Sequence, residues 1–234
     1  MAEQRPTAIG SRTRGGCSAR PAGRSGRAYR PTKRVLDVVG ALAALIVLSP
    51  VLGLVAVLVV TQCGKPVLYR GERIGLEGKP FHILKFRTMV PDAERLGTST
   101  TALHDSRLTR IGSVLRKYKI DELPQLLNVI SGDMSLVGPR PQVERYTRLY
   151  SDSDKEMLSV RPGITDYASI RFVNLDQLMG DSDVDQKYRT EIEPEKNRLR
   201  LKYVREMSFH TDLRILILTA MQMLRIRRIW NIDN

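Results

Sequence analysis

The chain has 234 residues, which allows one domain of ordinary size with short attachments, and it carries a formal net charge of +13. It contains only two cysteines, with no Cys-x-x-Cys pair, and three scattered histidines. A disulfide-rich scaffold and a zinc site with ordinary ligand spacing are therefore excluded.

The excess positive charge is concentrated at the N-terminus. Residues 1–34 contain nine arginines or lysines against one acid, Glu3. This stretch is also rich in Gly, Ser, Ala and Pro and has little apolar surface to bury, so we predict a disordered basic tail over residues 1–32. Such a tail suits anionic lipid or nucleic acid, and composition does not choose between them.

An uncharged apolar segment follows the tail. Residues 38–60 carry no charged side chain, which meets the criterion of roughly 18 apolar residues for a membrane helix. A signal peptide is disfavoured because the run is long, begins late and lacks a small-residue cleavage site. Ser49 and Pro50 lie near the centre of the run. Because Pro50 cannot donate to the carbonyl one turn back, we predict a kink there.

Two paths through the bilayer are open to this segment. It could span the bilayer with a kink, or it could enter, bend at Ser49-Pro50 and leave on the same side. The first arm, Val35–Ser49, makes about 22 Å of helix, which is shorter than a hydrocarbon core of about 30 Å. Basic residues flank the segment at both ends, which suits two cytoplasmic ends.

The rest of the chain predicts a small, mostly helical α+β domain. Apolar runs at 67–70 and 80–86, with glycines between them, predict a β-hairpin. Helical spacing of apolar residues predicts helices over about 108–118 and 123–131. A charged helix is predicted after Pro194, to about Arg205, an apolar one over 211–230, and two modest helices within 142–159. Extended pieces are predicted at 135–141 and 167–172, and loops at 97–106 and 173–186. The last helix is apolar with flanking arginines, so it suits either the membrane interface or the core.

An acidic pair, Asp121 and Glu122, directly follows a basic stretch at the predicted start of a helix. Asp121 is well placed to serve as an N-cap. The preceding cations, Arg116, Lys117 and Lys119, favour an ionised carboxylate and attract anions. A carboxylate nucleophile that attacks phosphorus is therefore the alternative interpretation.

Two other cationic groups suit phosphate. Lys85 and Arg87 alternate with Phe86 along a predicted strand, which places both cations on one face. Arg140 lies between two prolines, so a stiff backbone presents a guanidinium that can clamp phosphate with parallel hydrogen bonds. Taken singly, each cation is equally well explained as part of a solvated surface.

Several longer motifs occur in a fixed order along the chain. They are KRVLD at 33–37, Ser-Pro at 49–50, KFRTM at 85–89, DELPQLLNVISGDMSLVGPRP at 121–141 and RPGIT at 161–165. Together they resemble the bacterial sugar transferases, the small monotopic polyprenyl-phosphate phosphoglycosyl transferases, over about residues 32–230.

The resemblance implies transfer of a sugar phosphate from a nucleotide diphosphate sugar, usually a UDP-sugar, to undecaprenyl phosphate, as the first membrane step of a surface glycan pathway. Asp121 would be the nucleophile of a ping-pong reaction and would form a covalent phosphosugar intermediate. Glu122 would position or deprotonate the lipid phosphate, and Mg²⁺ would bind at Asp121. The cations expected to bind substrate phosphates are Lys85, Arg87, Arg116 and Arg140.

The resemblance also implies an architecture and a location. Residues 33–62 would form a re-entrant membrane helix broken at Ser49-Pro50, and residues 63–234 a catalytic domain with an interfacial C-terminal helix, on the cytoplasmic face of the bacterial inner membrane. The expected partners are undecaprenyl phosphate, the nucleotide sugar and anionic membrane lipid, with no nucleic acid; a homodimer is left open. DYASIRFVN at 166–174 departs from the Gly, Trp and Gln more common in the family. If this segment contacts the donor sugar or base, the usual donor specificity does not carry over.

Two non-enzymatic alternatives explain part of the sequence. A membrane-bound basic adaptor accounts for the charge, but it gives no reason for the acidic pair or for the proline-flanked Arg140. A subunit of an export complex would require the apolar segment to cross the bilayer with one end outside.

Overall fold

The computed structural model describes residues 24–90, 107–173, 190 and 192–223. The helices are α1 (Arg24–Cys63), α2 (Arg110–Lys117), α3 (Gln125–Ser131), α4 (Glu144–Thr147), α5 (Tyr167–Arg171), α6 (Glu193–Glu206) and α7 (Phe209–Met223). The strands are β1 (Leu68–Ile74), β2 (Pro80–Phe86), β3 (Ser135–Val137) and β4 (Gly163–Thr165). The predicted loop at 97–106 and most of that at 173–186 lie outside the described residues, as does the end of the last predicted helix.

Helix α1 packs along one face only. Its buried positions recur at helical spacing and are Lys33, Asp37, Ala41, Val55, Val59 and Cys63. The opposite face is apolar and exposed, with Ile46 and Val47 at 73% and 75% exposure. Among the described residues, Ala28–Cys63 is the one helix long and apolar enough to cross a membrane, and only 11% of its most apolar window is buried. So little burial favours a lipid-facing helix over a core helix of a soluble protein.

The predicted break at Ser49-Pro50 is not confirmed, because α1 is continuous through both residues. Pro50 deprives the carbonyl of Ile46 of its helical donor. The Ser49 hydroxyl donates to that carbonyl over 2.8 Å. A carbonyl satisfied in this way can remain in an apolar environment, which explains why the Ser-Pro pair does not end the helix.

The N-terminal boundary also differs from the sequence prediction. Helix α1 begins at Arg24, inside the segment predicted as a disordered tail, while residues 1–23 lie outside the described part. The Tyr29 hydroxyl and the Lys33 ammonium both donate to the Asp212 carboxylate, over 2.9 Å and 2.6 Å. These contacts with a distant part of the chain hold the first turns of α1, and composition alone cannot reveal them.

Two small two-stranded sheets carry the loops that bear the sequence motifs. The predicted hairpin is confirmed: β1 and β2 pair antiparallel, and β1 runs beyond its predicted end to Ile74. Strands β3 and β4 pair in parallel. A Cβ built on Gly163 would collide with the backbone of Gly138, so glycine is needed where the GPRP and RPGIT segments meet.

The C-terminal helices complete the main core. Tyr203 of α6 and Ile215 of α7 are both fully buried in it. On the other side of α7, Phe209 and Ile217 are 55% and 51% exposed, so this helix has a core face and an apolar outer face. Its predicted interfacial position is not confirmed by these contacts. The extended run predicted at 167–172 is wrong: these residues form α5 and its last turn.

Candidate active site

The acidic pair lies in a 3₁₀ turn, Ile120–Glu122, between α2 and α3. Lys119 precedes it in the left-handed region, with φ of 57°, and turns the chain sharply. Asp121 and Glu122 are 6% and 8% exposed. The N-cap interpretation of Asp121 is wrong, because Pro124 precedes α3 without any side-chain cap. Asp121 Oδ1 is buried and has no hydrogen-bond partner among the described residues.

Glu122 is held by two cations. Lys85 Nζ lies 2.9 Å from Glu122 Oε1, and one terminal nitrogen of Arg140 lies 2.9 Å from Oε2. The other terminal nitrogen of Arg140 contacts Oε1, which makes the pair bidentate. Burial alone would raise the pKa of Glu122, but the charges of Arg140 and Lys85 outweigh it and hold that pKa well below its usual range. A pKa lowered in this way keeps Glu122 ionised at neutral pH.

Asp121 has the opposite electrostatic character. Burial raises the pKa of its carboxyl group, and the neighbouring charge of Glu122 acts in the same direction. Lys85, Arg116 and Lys119 oppose this shift. Adjacent carboxyl groups with diverging pKa values are typical of sites where the two have different chemical roles. Glu122 is engaged by cations, and Asp121 has an oxygen available.

The two remaining predicted cations, Arg116 and Arg87, differ in their contacts. The Arg116 Nε donates to the Thr88 hydroxyl over 3.0 Å, and its charge acts on Asp121. Arg87 lies just beyond β2 and donates to the Lys65 carbonyl over 3.2 Å. Among the described residues, the Arg87 side chain thus contacts Lys65 and not the acidic pair.

Arg140 is fixed by more than its flanking prolines. Asp166 Oδ2 accepts from the Arg140 backbone N–H over 3.1 Å, and Oδ1 accepts from the Ser169 N–H over 2.6 Å at the start of α5. Asp166 is fully buried. Nε of Arg200, which is also buried, lies 3.8 Å from Asp166 Oδ2. Sequence reasoning missed the role of both residues. The signal was the departure that begins at Asp166, where the family more commonly has glycine.

A second buried polar side chain near the pair was also missed. Gln125 lies one helical turn after Asp121 and is fully buried. Neither atom of its amide has a hydrogen-bond partner among the described residues. The i, i+4 spacing from Asp121 was the available signal.

The residues present fit Mg²⁺ in a limited way. Mg²⁺ is usually held by one or two carboxylates together with substrate phosphates, rather than by a cage of protein ligands. In keeping with this, the described residues contain no group of three or more His, Cys, Asp or Glu side chains that could hold a metal ion. Asp121 Oδ1 is a carboxylate oxygen without a partner, whereas both oxygens of Glu122 are engaged by cations.

Comparison with known proteins identifies the family of the chain. A family model described as bacterial sugar transferase matches residues 28–226. The chain belongs to the bacterial sugar transferase family. A bacterial sugar transferase is an enzyme, so the family match decides against the non-enzymatic adaptor and the export-complex subunit.

Named relatives of this bacterial sugar transferase cover most of its length. It is 38% identical over 195 residues to a UDP-glucose:undecaprenyl-phosphate glucose-1-phosphate transferase of Caulobacter vibrioides, covering 82% of this chain and 69% of that protein. The protein of the same name in Escherichia coli is 36% identical over 195 residues, covering 82% of this chain but only 40% of the longer relative. Exopolysaccharide production protein ExoY of Sinorhizobium fredii is 38% identical over 203 residues, covering 80% and 83%.

Proposed function

We propose that this bacterial sugar transferase moves a sugar phosphate from a nucleotide diphosphate sugar to undecaprenyl phosphate and releases nucleoside monophosphate, as the first membrane step of a surface glycan pathway. The names of the Caulobacter and Escherichia relatives support the reaction class, and ExoY supports the pathway. The observation that carries the proposal is that the two members of the acidic pair differ in their contacts. Glu122 is neutralised by two cations, while buried Asp121 keeps an unpartnered oxygen.

In the first half-reaction, a carboxylate oxygen of Asp121 attacks the phosphorus bonded to the sugar. The bond from that phosphorus to the bridging oxygen breaks, and the electron pair leaves with the nucleoside monophosphate. An acyl phosphate then joins Asp121 to the sugar. The raised pKa of Asp121 favours this step, because a more basic carboxylate is a better nucleophile once ionised.

In the second half-reaction, an oxygen of the lipid phosphate attacks the same phosphorus. The bond to Asp121 breaks, and the carboxylate is regenerated. A phosphate monoester has a second pKa of about 6, so the lipid phosphate is already mostly a dianion at pH 7 and needs little help from a base. Of the two roles open to Glu122, positioning is therefore favoured, because a carboxylate with a strongly lowered pKa is a poor proton acceptor. Glu122 positions the side chains of Lys85 and Arg140.

Asp121 would hold Mg²⁺ together with the phosphates of the donor. When bound, the ion supplies neutralising charge for the diphosphate and the leaving group. The protein adds its own fixed positive charge from Lys85, Arg116 and Arg140, which bind and orient the phosphates while water is largely excluded from the buried pair.

We also propose that α1 is re-entrant. Ala41 shares an apolar cluster with Ile83 of β2, and Val55 shares one with Phe86 of the same strand. Both halves of α1 therefore pack on the same small domain, as a helix that bends toward the domain can do.

The orientation of Pro50 supports the same bend. Its ring crowds the carbonyl one turn back, so a helix opens on the proline side and bends away from it. Pro50 is exposed, while Leu48 and Leu52 on either side are half-buried, so the bend would be toward the protein. Both ends of α1 would then lie on one side of the bilayer, the cytoplasmic side, where nucleotide sugars are found.

Each part of the proposal has its own test. For the reaction, the full chain in nanodiscs with undecaprenyl phosphate and Mg²⁺ is screened over a panel of nucleotide sugars for nucleoside monophosphate release. Release with at least one donor is expected, and no release with any donor would contradict the proposal. For topology, Cys63 is too buried to report, so Lys65→Cys is combined with Cys17→Ser and labelled from each side; labelling from outside would contradict the re-entrant path.

A further inference from the structure

A basic cleft, separate from the site of the acidic pair, lies at the N-terminal end of α1, which we call the base of α1. It is an open cleft with about 450 Å³ of empty space, part of which is continuous with solvent. Its polar lining comes from α1, from the start of β3, from the turn before β4 and from α6, and comprises Arg30, Lys33, Arg34, Asp37, Ser135, Ser159, Arg161 and Tyr203. None of these residues belongs to the proposed catalytic set.

The lining has an excess of positive charge, with four cations against one acid. That acid, Asp37, is already engaged: it accepts from the Ser135 hydroxyl over 2.7 Å and from the Leu136 N–H over 3.1 Å. Lys33 is neutralised by Asp212, which lies 2.6 Å away. The remaining positive charge of the cleft therefore comes from its three arginines.

Two of these arginines are held in place by the end of α3. Arg34 donates to the carbonyls of Val129 and Ile130 over 2.6 Å and 3.1 Å. Arg161 donates through Nε to the Gly132 carbonyl over 2.8 Å. A guanidinium anchored through part of its fork loses less side-chain freedom when its other N–H groups bind an anion.

A buried hydroxyl in the cleft has no partner. Ser159 Oγ is inaccessible to solvent and makes no hydrogen bond with any described residue. Buried hydroxyl groups almost always have a partner, and Ser159 is one of the residues that line the cleft, so a ligand held there would supply the missing acceptor. A phosphate oxygen would accept from it.

The position of the cleft indicates where the phosphate comes from. Directly after Arg34, the outer face of α1 becomes apolar, with Val35 and Val39 at 63% and 60% exposure. The cleft thus lies at the level where the helix surface changes from cationic to apolar, which is headgroup depth for a helix in a bilayer. It is also separate from the catalytic site: Ser135 begins β3 and Arg140 follows its end, about 10 Å or more further on.

We propose that this cleft binds the phosphate group of an anionic membrane phospholipid and so fixes the base of α1 against α3. The inference rests on the proposed membrane location of α1 and is independent of the transfer reaction. Free inorganic phosphate presents the same chemistry, and the experiment distinguishes the two sources.

The test compares two cleft variants with a control of equal charge change. Arg30→Gln removes an exposed cation of the cleft, and Ser159→Ala removes the unpartnered hydroxyl. Lys65→Gln removes an exposed cation at the other flank of the apolar segment, outside the cleft. The full chain is reconstituted in nanodiscs of phosphatidylcholine with phosphatidylglycerol, and native mass spectrometry counts retained phosphatidylglycerol. Inorganic phosphate is separately titrated into delipidated protein, with thermal unfolding as the readout.

Retention of phosphatidylglycerol by the unmodified chain is expected, weakened roughly tenfold in R30Q and S159A but not in K65Q. A rise of the unfolding temperature with inorganic phosphate alone, lost in the same two variants, would keep the phosphate site and assign it to a soluble anion. Equal loss in K65Q, or no loss in either cleft variant, would overturn the proposal. Nucleoside monophosphate release by the unmodified chain is measured in parallel, so failure of the transfer reaction is seen separately.

Discussion

Replacing Glu122 by glutamine tests the electrostatic basis of the site. The change keeps the shape but removes the charge that Lys85 and Arg140 share. Removing one partner of a buried ion pair costs about 3–5 kcal/mol. Because the two cationic side chains keep 23% and 30% exposure, water partly solvates the abandoned charges. We therefore expect a loss at the lower end, about 3 kcal/mol of unfolding free energy.

The assay is denaturant unfolding of the full chain in micelles, with Glu144→Gln as the matched control. Glu144 pairs with Arg148 at a well-exposed site, so its loss should cost less than about 1 kcal/mol. A lowered carboxyl pKa contributes stability that is present above about pH 4.3 and is lost as the pH falls toward the folded-state value. The difference between unmodified protein and E122Q should therefore shrink in acid. An E122Q variant no less stable than E144Q at neutral pH would refute the reasoning.

The same variant separates positioning from base catalysis. If Glu122 orients Lys85 and Arg140, E122Q should weaken donor binding and slow nucleoside monophosphate release even when no lipid acceptor is present. If Glu122 were instead a base for the lipid phosphate, E122Q would release a full burst of nucleoside monophosphate and fail only in the transfer to lipid. That second result would contradict a positioning role for Glu122.

The remaining predictions concern Asp121, Asp166 and Ser49. Asp121→Asn should abolish turnover yet raise the free energy of unfolding by about 1 kcal/mol, measured by thermal unfolding, because burial disfavours the charge of Asp121 and raises its pKa; lower stability would contradict this. Nucleoside monophosphate release should fall in acid from a pH above the ordinary aspartate value of about 3.9, because the raised pKa of Asp121 protonates the nucleophile early; a pH profile tests it. Asp166→Asn, which breaks the contact with the Arg140 N–H, should raise the donor KM more than it lowers kcat, and an unchanged KM would argue against positioning. Ser49→Ala should lower the unfolding temperature in nanodiscs by leaving the Ile46 carbonyl unpaired, with Thr61→Ala as control.

Much of the fold could be predicted from local features of the sequence. The hairpin, α2 and α3 follow from apolar periodicity and from the glycines between the elements, and α6 from the proline in its first turn, all of which act within a few residues. The α5 helix was missed because Tyr167, Ile170 and Phe172 favour a strand, whereas the side chain of Asp166 caps a helix. Besides this cap, the helix buries Tyr167 and Ile170 in the main core, and such tertiary packing is not visible in the local sequence.

The sequence predicted part of the candidate site and none of its contacts. The motifs and their order pointed to the acidic pair, Lys85 and Arg140, but not to Asp166 or Gln125. That Glu122 is the neutralised member and Asp121 the available one depends on contacts across 37 and 18 residues of chain. Sequence spacing holds no information on which carboxylate a distant cation will meet.

The central claim is that Asp121 becomes bonded to phosphorus during turnover. The most direct measurement incubates the full chain with Mg²⁺ and a radiolabelled nucleotide sugar, without lipid acceptor, and locates the label by peptide mass spectrometry. The account predicts one phosphosugar on the peptide containing residue 121, discharged when undecaprenyl phosphate is added and absent from D121N. An unlabelled Asp121 in active protein, or lipid product formed by D121N, would contradict it.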